Sequence, residues 1–239
     1  MNRFVQFAEN PVASGPETMF LVIDASPSME EDDWKPNRLA GAVTAAKALL
    51  DVKSQHYASD KVCLITFHRE ARMMHPPAEV GANRPSLDAA LDKIRTSACT
   101  NIAAGLEMVR DVLDGKQRVS KKIASGVSWL DRWLFEAPST PDTNGPAVRG
   151  VRAILLSDGG HNVPYAYPVK TAKTLKKRGV VIDVIGIGNP KDLDETCLRK
   201  IASANEDGSV RYCFIGEQDH LVREFKKLAH HIRLMGGDE

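Results

Sequence analysis

The sequence has little of what would assign a function quickly. Nowhere in its 239 residues does an apolar run approach the ~18 needed to cross a bilayer. The opening stretch, MNRFVQFAENPVASGPE, has no long apolar core of the kind a secretory leader carries. The four cysteines, Cys63, Cys99, Cys197 and Cys213, lie far apart and form no Cys-x-x-Cys pair. That argues against both a zinc site and a disulfide framework. Cys63 and Cys213 fall inside apolar runs and read as buried free thiols. Together these features imply a reducing, cytoplasmic setting.

Charge of one sign is also missing. With 32 basic and 31 acidic residues the net charge is +1, so no broad field invites nucleic acid or an anionic membrane. Basic residues are not interleaved with aromatics. There is no Gly-x-Gly-x-x-Gly, no Walker-type phosphate loop, no internal repeat and no nucleophile–base pair.

What is present is a core. Hydrophobic residues make up 43% of the chain, enough to fill one α/β domain of this length. The chain is organised around Met19–Met29, MFLVIDASPSM. Its apolar run, Met19–Ile23, reads as a strand buried on both faces of a parallel sheet. The run stops at Asp24, and hydroxyls follow at Ser26 and Ser28. A helix is predicted over about Asn37–Gln55, with Leu39, Val43, Ala46 and Leu50 on one stripe. Lys61–Phe67 is a second buried strand. Ala71–His75, stopped by Pro76 and Pro77, suits an edge strand. Ser86 is placed to cap a short helix running to about Ile94.

Thr100 or Asn101 opens a helix whose stripe is Ile102, Leu106, Val109 and Leu113. Val151–Leu156 is a third buried strand, ending in Ser157, Asp158 and Gly159. A basic helix stops at Gly179, and its run Lys170, Lys173, Lys176, Lys177 and Arg178 reads as a helix end facing water. Val180–Ile187 and Val210–Ile215 read as strands and Leu193–Ala204 as a helix. A last helix carries Leu221, Phe225, Leu228 and Ile232, with His230 and His231 on a solvated face. Strands alternating with helices imply a doubly wound, mostly parallel sheet.

One segment breaks this rhythm. In Lys116–Gly150, Ile123, Val127, Leu130 and Leu134 form a stripe beside Trp129 and Trp133, giving an apolar arc of roughly 160°. Pro138–Gly150 then reads as a connector. The expected organisation is a tail over 1–17, one domain over 18–235 with an inserted helix and loop at about 116–150, and a tail over 236–239. The Trp129/Trp133 face either covers the body or meets a partner.

Asp24, Ser26, Ser28, Thr100 and Asp158 all fall where strands end or a helix begins, on the sheet edge where open α/β folds bind ligands. They are hard oxygen donors suited to Mg²⁺ or Mn²⁺. The bland reading of the first three is a helix N-cap and turn, and of Thr100 an N-cap. Only the whole set, in order, points to a metal.

That set resembles the metal-ion-dependent adhesion site (MIDAS) of von Willebrand factor type A (vWA) domains. The likeness extends over about Glu17–Leu234 and includes the Gly186–Gly188 turn. Pro27 and Cys99 stand where the family commonly has glycine, without deleting a ligand. The resemblance implies a six-stranded Rossmann-like sheet with one antiparallel edge strand and helices on both faces. It implies direct ligation by Ser26, Ser28 and Thr100, with Asp24 and Asp158 acting partly through water.

It also implies a bacterial, intracellular, non-enzymatic adaptor. Such a module binds a partner's Glu or Asp through Mg²⁺ (or Mn²⁺), the partner being of the ATPase, kinase or phosphatase kind. From their place after Asp158, His161 and Asn162 are candidate partner contacts, the competing reading of His161 being a loop histidine with no role. An alternative is a haloacid-dehalogenase-type phosphotransferase, which also begins at an acid after its first strand. That chemistry usually needs a second acid two residues on as general acid, and Ser26 stands there. A nucleic-acid-associated module is the remaining alternative, disfavoured by the charge balance.

Overall fold

The computed structural model describes residues 16–97, 99–115, 150–164 and 166–230. The inserted segment with Trp129 and Trp133, most of the expected N-terminal tail, Ile232 and the C-terminal tail lie outside the described residues.

Six strands form one sheet in the order β3-β2-β1-β4-β5-β6. They are β1 (Thr18–Asp24), β2 (Lys61–Phe67), β3 (Ala71–Glu79), β4 (Val151–Ser157), β5 (Val181–Ile187) and β6 (Tyr212–Ile215). All neighbours pair in parallel except β2 and β3. The helices are α1 (Arg38–His56), α2 (Val80–Leu91), α3 (Ile102–Leu113), α4 (Pro168–Lys177), α5 (Glu195–Ile201) and α6 (Gln218–Ala229). A 3₁₀ turn covers Pro27–Glu30.

The two faces of β1 sort its residues by parity, because successive side chains of a strand point to opposite sides. Met19, Leu21 and Ile23 pack with residues of α1, α2 and α6. Phe20 and Val22 pack with α3, α4 and α5 on the other face. Helix α3 lies unusually close to the sheet. A Cβ on Gly105 would come within 2.9 Å of Val22 and 3.0 Å of Phe67, so any larger residue would force those side chains to shift.

Three boundaries differ from expectation. Helix α2 begins at Val80, directly after β3, and carries Pro85 inside it. Ser86 does not cap it: its Oγ donates to the Asn83 carbonyl at 2.9 Å. Strand β3 runs through Pro76 and Pro77 to Glu79, which its place at the edge and the register shifts of the β2–β3 pair allow. Helix α5 is shorter than Leu193–Ala204, starting after Asp194, whose Oδ1 accepts from Cys197 N at 2.9 Å.

The strand order places the site. From β1 the chain moves outward to β2 and β3, then returns to β4 on the other side of β1. The carboxyl ends of β1 and β4 therefore flank the point where strand order reverses, where a crevice opens in folds of this kind.

Candidate metal site

Asp24 ends β1 and Asp158 follows β4, and both are fully buried. The Asp24 carboxylate is held from two sides. Its Oδ1 accepts from Ser26 N at 2.8 Å and its Oδ2 from Ser157 Oγ at 2.6 Å. The loop after it is tied down on both flanks, since Ala25 N donates to the Phe67 carbonyl and Ser97 N to the Ala25 carbonyl.

Ser26 and Ser28 turn their hydroxyls toward each other at 3.1 Å. Both face Asp158 Oδ1, Ser28 Oγ donating at 2.9 Å and Ser26 Oγ standing at 3.5 Å. Pro27 is the first residue of the 3₁₀ turn and points to solvent, so its place in the motif leaves the hydroxyls undisturbed.

Thr100 arrives from the opposite direction. It is locked to the segment after β4 by a two-way bond: Thr100 N donates to Asn162 Oδ1 at 2.8 Å, and Asn162 N donates to the Thr100 carbonyl at 3.1 Å. Asn101, not Thr100, is the N-cap of α3, its side chain accepting from Ala104 N. Cys99 reaches this position with φ of 71°, the left-handed region that favours glycine. That is the physical content of a glycine preference just before the threonine.

A side chain on Gly159 would lie between the two halves. Its Cβ would stand 3.9 Å from Thr100 Oγ1 and 4.0 Å from Ser28 Oγ. The two hydroxyls thus border one space that the missing side chain leaves open. With Asp24, Ser26 and Asp158 close by in the same hydrogen-bonded cluster, the two carboxylates and three hydroxyls form a hard-oxygen donor set of the kind Mg²⁺ and Mn²⁺ take, so the residues present fit such an ion.

The electrostatics agree. Burial, with the Asp158 charge nearby, pushes the Asp24 carboxyl up to about 7 against the hydrogen bonds that lower it. Burial also raises Asp158, opposed by Arg38 and Ser28. Two buried acids side by side resist ionising together, and a divalent cation is the direct remedy.

Arg38, Ser157 and the Asn162 clamp are additions to the sequence reading. Arg38 Nη1 donates to Asp158 Oδ2 at 3.0 Å. Its one sequence signal is a cation in the first turn of a helix, at the positive end of the macrodipole, where it needs acidic company. Asn162, expected to be a partner-contact residue, uses its side-chain carbonyl to hold the Thr100 loop. His161 Nε2 lies 3.1 Å from the Ala166 carbonyl, and its Nδ1 is buried without a partner.

Comparison with known proteins now has a structure to attach to. Residues 19–127 match the family model of the von Willebrand factor type A domain. A vWA protein of Catenulispora acidiphila superposes over 90% of this chain and 42% of its own, with a TM-score of 0.65 at 18% identity. The fold is a vWA fold.

BatB of Bacteroides thetaiotaomicron gives a TM-score of 0.60 over 90% of this chain and 99% of its own, at 21% identity. Proximal thread matrix protein 1 of the mussel byssus, solved with zinc in its MIDAS, gives 0.63 over 92% and 46%, at 20% identity. Among sequence relatives, a UPF0353 protein of Nocardia farcinica is 28% identical over 72% of this chain and 45% of its own length. The protein YfbK of Escherichia coli is 24% identical over 91% of this chain and 31% of its own. The chain thus spans less than half the length of these two relatives.

Proposed function

We propose that this vWA domain is a bacterial, intracellular binding module. It captures a Glu or Asp side chain of a partner protein through Mg²⁺ (or Mn²⁺) held at Asp24, Ser26, Ser28, Thr100 and Asp158. The observation that carries this reading is the meeting of three segments, Ser26 and Ser28 facing the buried Asp158 and Thr100 bordering with Ser28 the space beside Gly159. A bound divalent cation supplies an electrophilic position for one further carboxylate oxygen. The neutral hydroxyls compensate little of its charge, which favours an acidic visitor over water.

The chain's own part is positioning. Ser157 and the Ser26 N–H fix Asp24, and Asn162 fixes Thr100. Binding rather than catalysis is supported by Ser26, which stands two residues after Asp24 where a haloacid-dehalogenase-type phosphotransferase usually needs its general acid. A cytoplasmic ATPase, kinase or phosphatase is the kind of partner this module would serve.

The test is capture from a lysate of the source cell by wild type with Mg²⁺, wild type with EDTA, and Asp24→Ala. A protein identified by mass spectrometry in the first arm alone supports the reading. Equal recovery in all three arms rejects it.

A further inference from the structure

Arg38 is the first residue of α1 and is 1% exposed. Its guanidinium lies against Gly188, whose φ is +85°, and a Cβ there would come within 2.6 Å of Arg38 Cζ. The fork is fully used. Nη1 donates to Asp158 Oδ2 at 3.0 Å, Nη2 to Glu31 and Asp33 at 2.6 and 2.7 Å, and Nε to Asp33 at 2.9 Å. The two oxygens of Asp158 are therefore divided, Oδ2 to the guanidinium and Oδ1 to Ser28 and Ser26. Glu31 and Asp33 are about half-exposed and brace the fork from the solvent side.

We propose that Arg38 limits the cation affinity of this site: its fixed positive charge repels the ion across Asp158 and restricts that carboxylate to one oxygen. The inference rests on the metal reading above. A guanidinium cannot discharge by losing a proton, so Arg38 keeps its charge beside Asp158, with Glu31 and Asp33 offsetting part of it from the solvent side. The consequence is an ion held loosely until a partner's carboxylate adds its charge. Arg38 is thus a positioning residue for Asp158.

The experiment is calorimetric titration of the full chain with Mn²⁺ and separately with Tb³⁺, with folding checked by circular dichroism. Arg38→Gln is expected to bind Mn²⁺ roughly tenfold more tightly, and Tb³⁺ by roughly thirtyfold, because the relieved repulsion scales with ion charge. Arg38→Lys, which keeps the charge, should stay within about threefold of wild type. A purely structural role would not order the two ions by charge. Should Arg38→Gln fail to fold, Arg38→Gln with Asp33→Asn restores net charge and removes a stranded acid, and it should still bind at least about threefold more tightly. No tightening in a folded variant, or equal factors for both ions, overturns the proposal. Wild type that binds no Mn²⁺ overturns the metal reading itself, which separates the two failures.

Discussion

The two edges of one sheet bury acids in opposite ways. At the amino edge, Glu17 precedes β1 and Asp60 precedes β2, and both meet the fully buried ammonium of Lys53, at 2.9 and 2.6 Å. Asp60 also accepts the Glu17 N–H at 2.8 Å. At the carboxyl edge, Asp24 takes an N–H and a hydroxyl. Asp158 has a cation, but one divided among three carboxylates. Within β5, Asp183 lies between Arg152 and Arg211. A buried cation between two acids, or an acid between two cations, serves the architecture. At the carboxyl edge the acids are short of positive charge, which is where the proposed cation would be held.

The largest expected effect breaks the matched edge. Lys53→Ala removes the buried ammonium that Glu17 and Asp60 share, and loss of one partner of a buried pair costs about 3–5 kcal/mol. Urea unfolding should show that loss, while Mn²⁺ affinity in the folded protein stays at the wild-type value. A change in both would mean the two edges are not independent.

Next, the carboxyl edge should carry a pH signature when metal is chelated. The folded protein keeps the Asp24 proton up to about pH 7, whereas an unfolded chain releases it near pH 3.9. Between those values the folded state holds the extra proton, so its stability declines as pH rises through that window. In EDTA the expected decline is roughly 2–4 kcal/mol, and Asp24→Asn should remove at least half of it. An unchanged slope in that variant would place the titrating group elsewhere. Burial raises Asp158 as well, so it titrates in the same direction.

The smallest change in stability should come from Gly159→Ala. Its new methyl would make ordinary contacts at 3.9 and 4.0 Å with the Thr100 and Ser28 hydroxyls, so unfolding free energy should shift by under about 0.5 kcal/mol. Mn²⁺ affinity should nonetheless fall severalfold, because the methyl stands in the space those hydroxyls share. A variant that binds Mn²⁺ as wild type would show that the ion does not use that space.

Much of this was legible in the chain. Runs such as Met19–Ile23 and Lys61–Phe67 are apolar on both faces, and burial in a parallel sheet is the one environment that suits them. With helical stripes between them, the doubly wound order followed. The order of Asp24, Ser26, Ser28, Thr100 and Asp158 along the chain, each at the end of a strand or the start of a helix, was enough to nominate the donors. Where local rules competed, the sequence misled. Ser86 resembles an N-cap, yet α2 begins at Val80 because β3 delivers the chain there, and the helix tolerates Pro85.

Only the tertiary structure decided how charge is shared. Arg38 and Asp158 are 120 residues apart, and Lys53 meets Glu17 across 36. Neither pairing leaves a local pattern, because ion pairs between loops depend on strand order and on the depth at which each side chain ends. Sequence by itself placed Asp24 and Asp158 at the carboxyl ends of buried strands, since the apolar runs set where those strands stop. Three-dimensional packing determined which of their oxygens were already neutralised, because Coulomb energy depends on distance and burial and not on order along the chain.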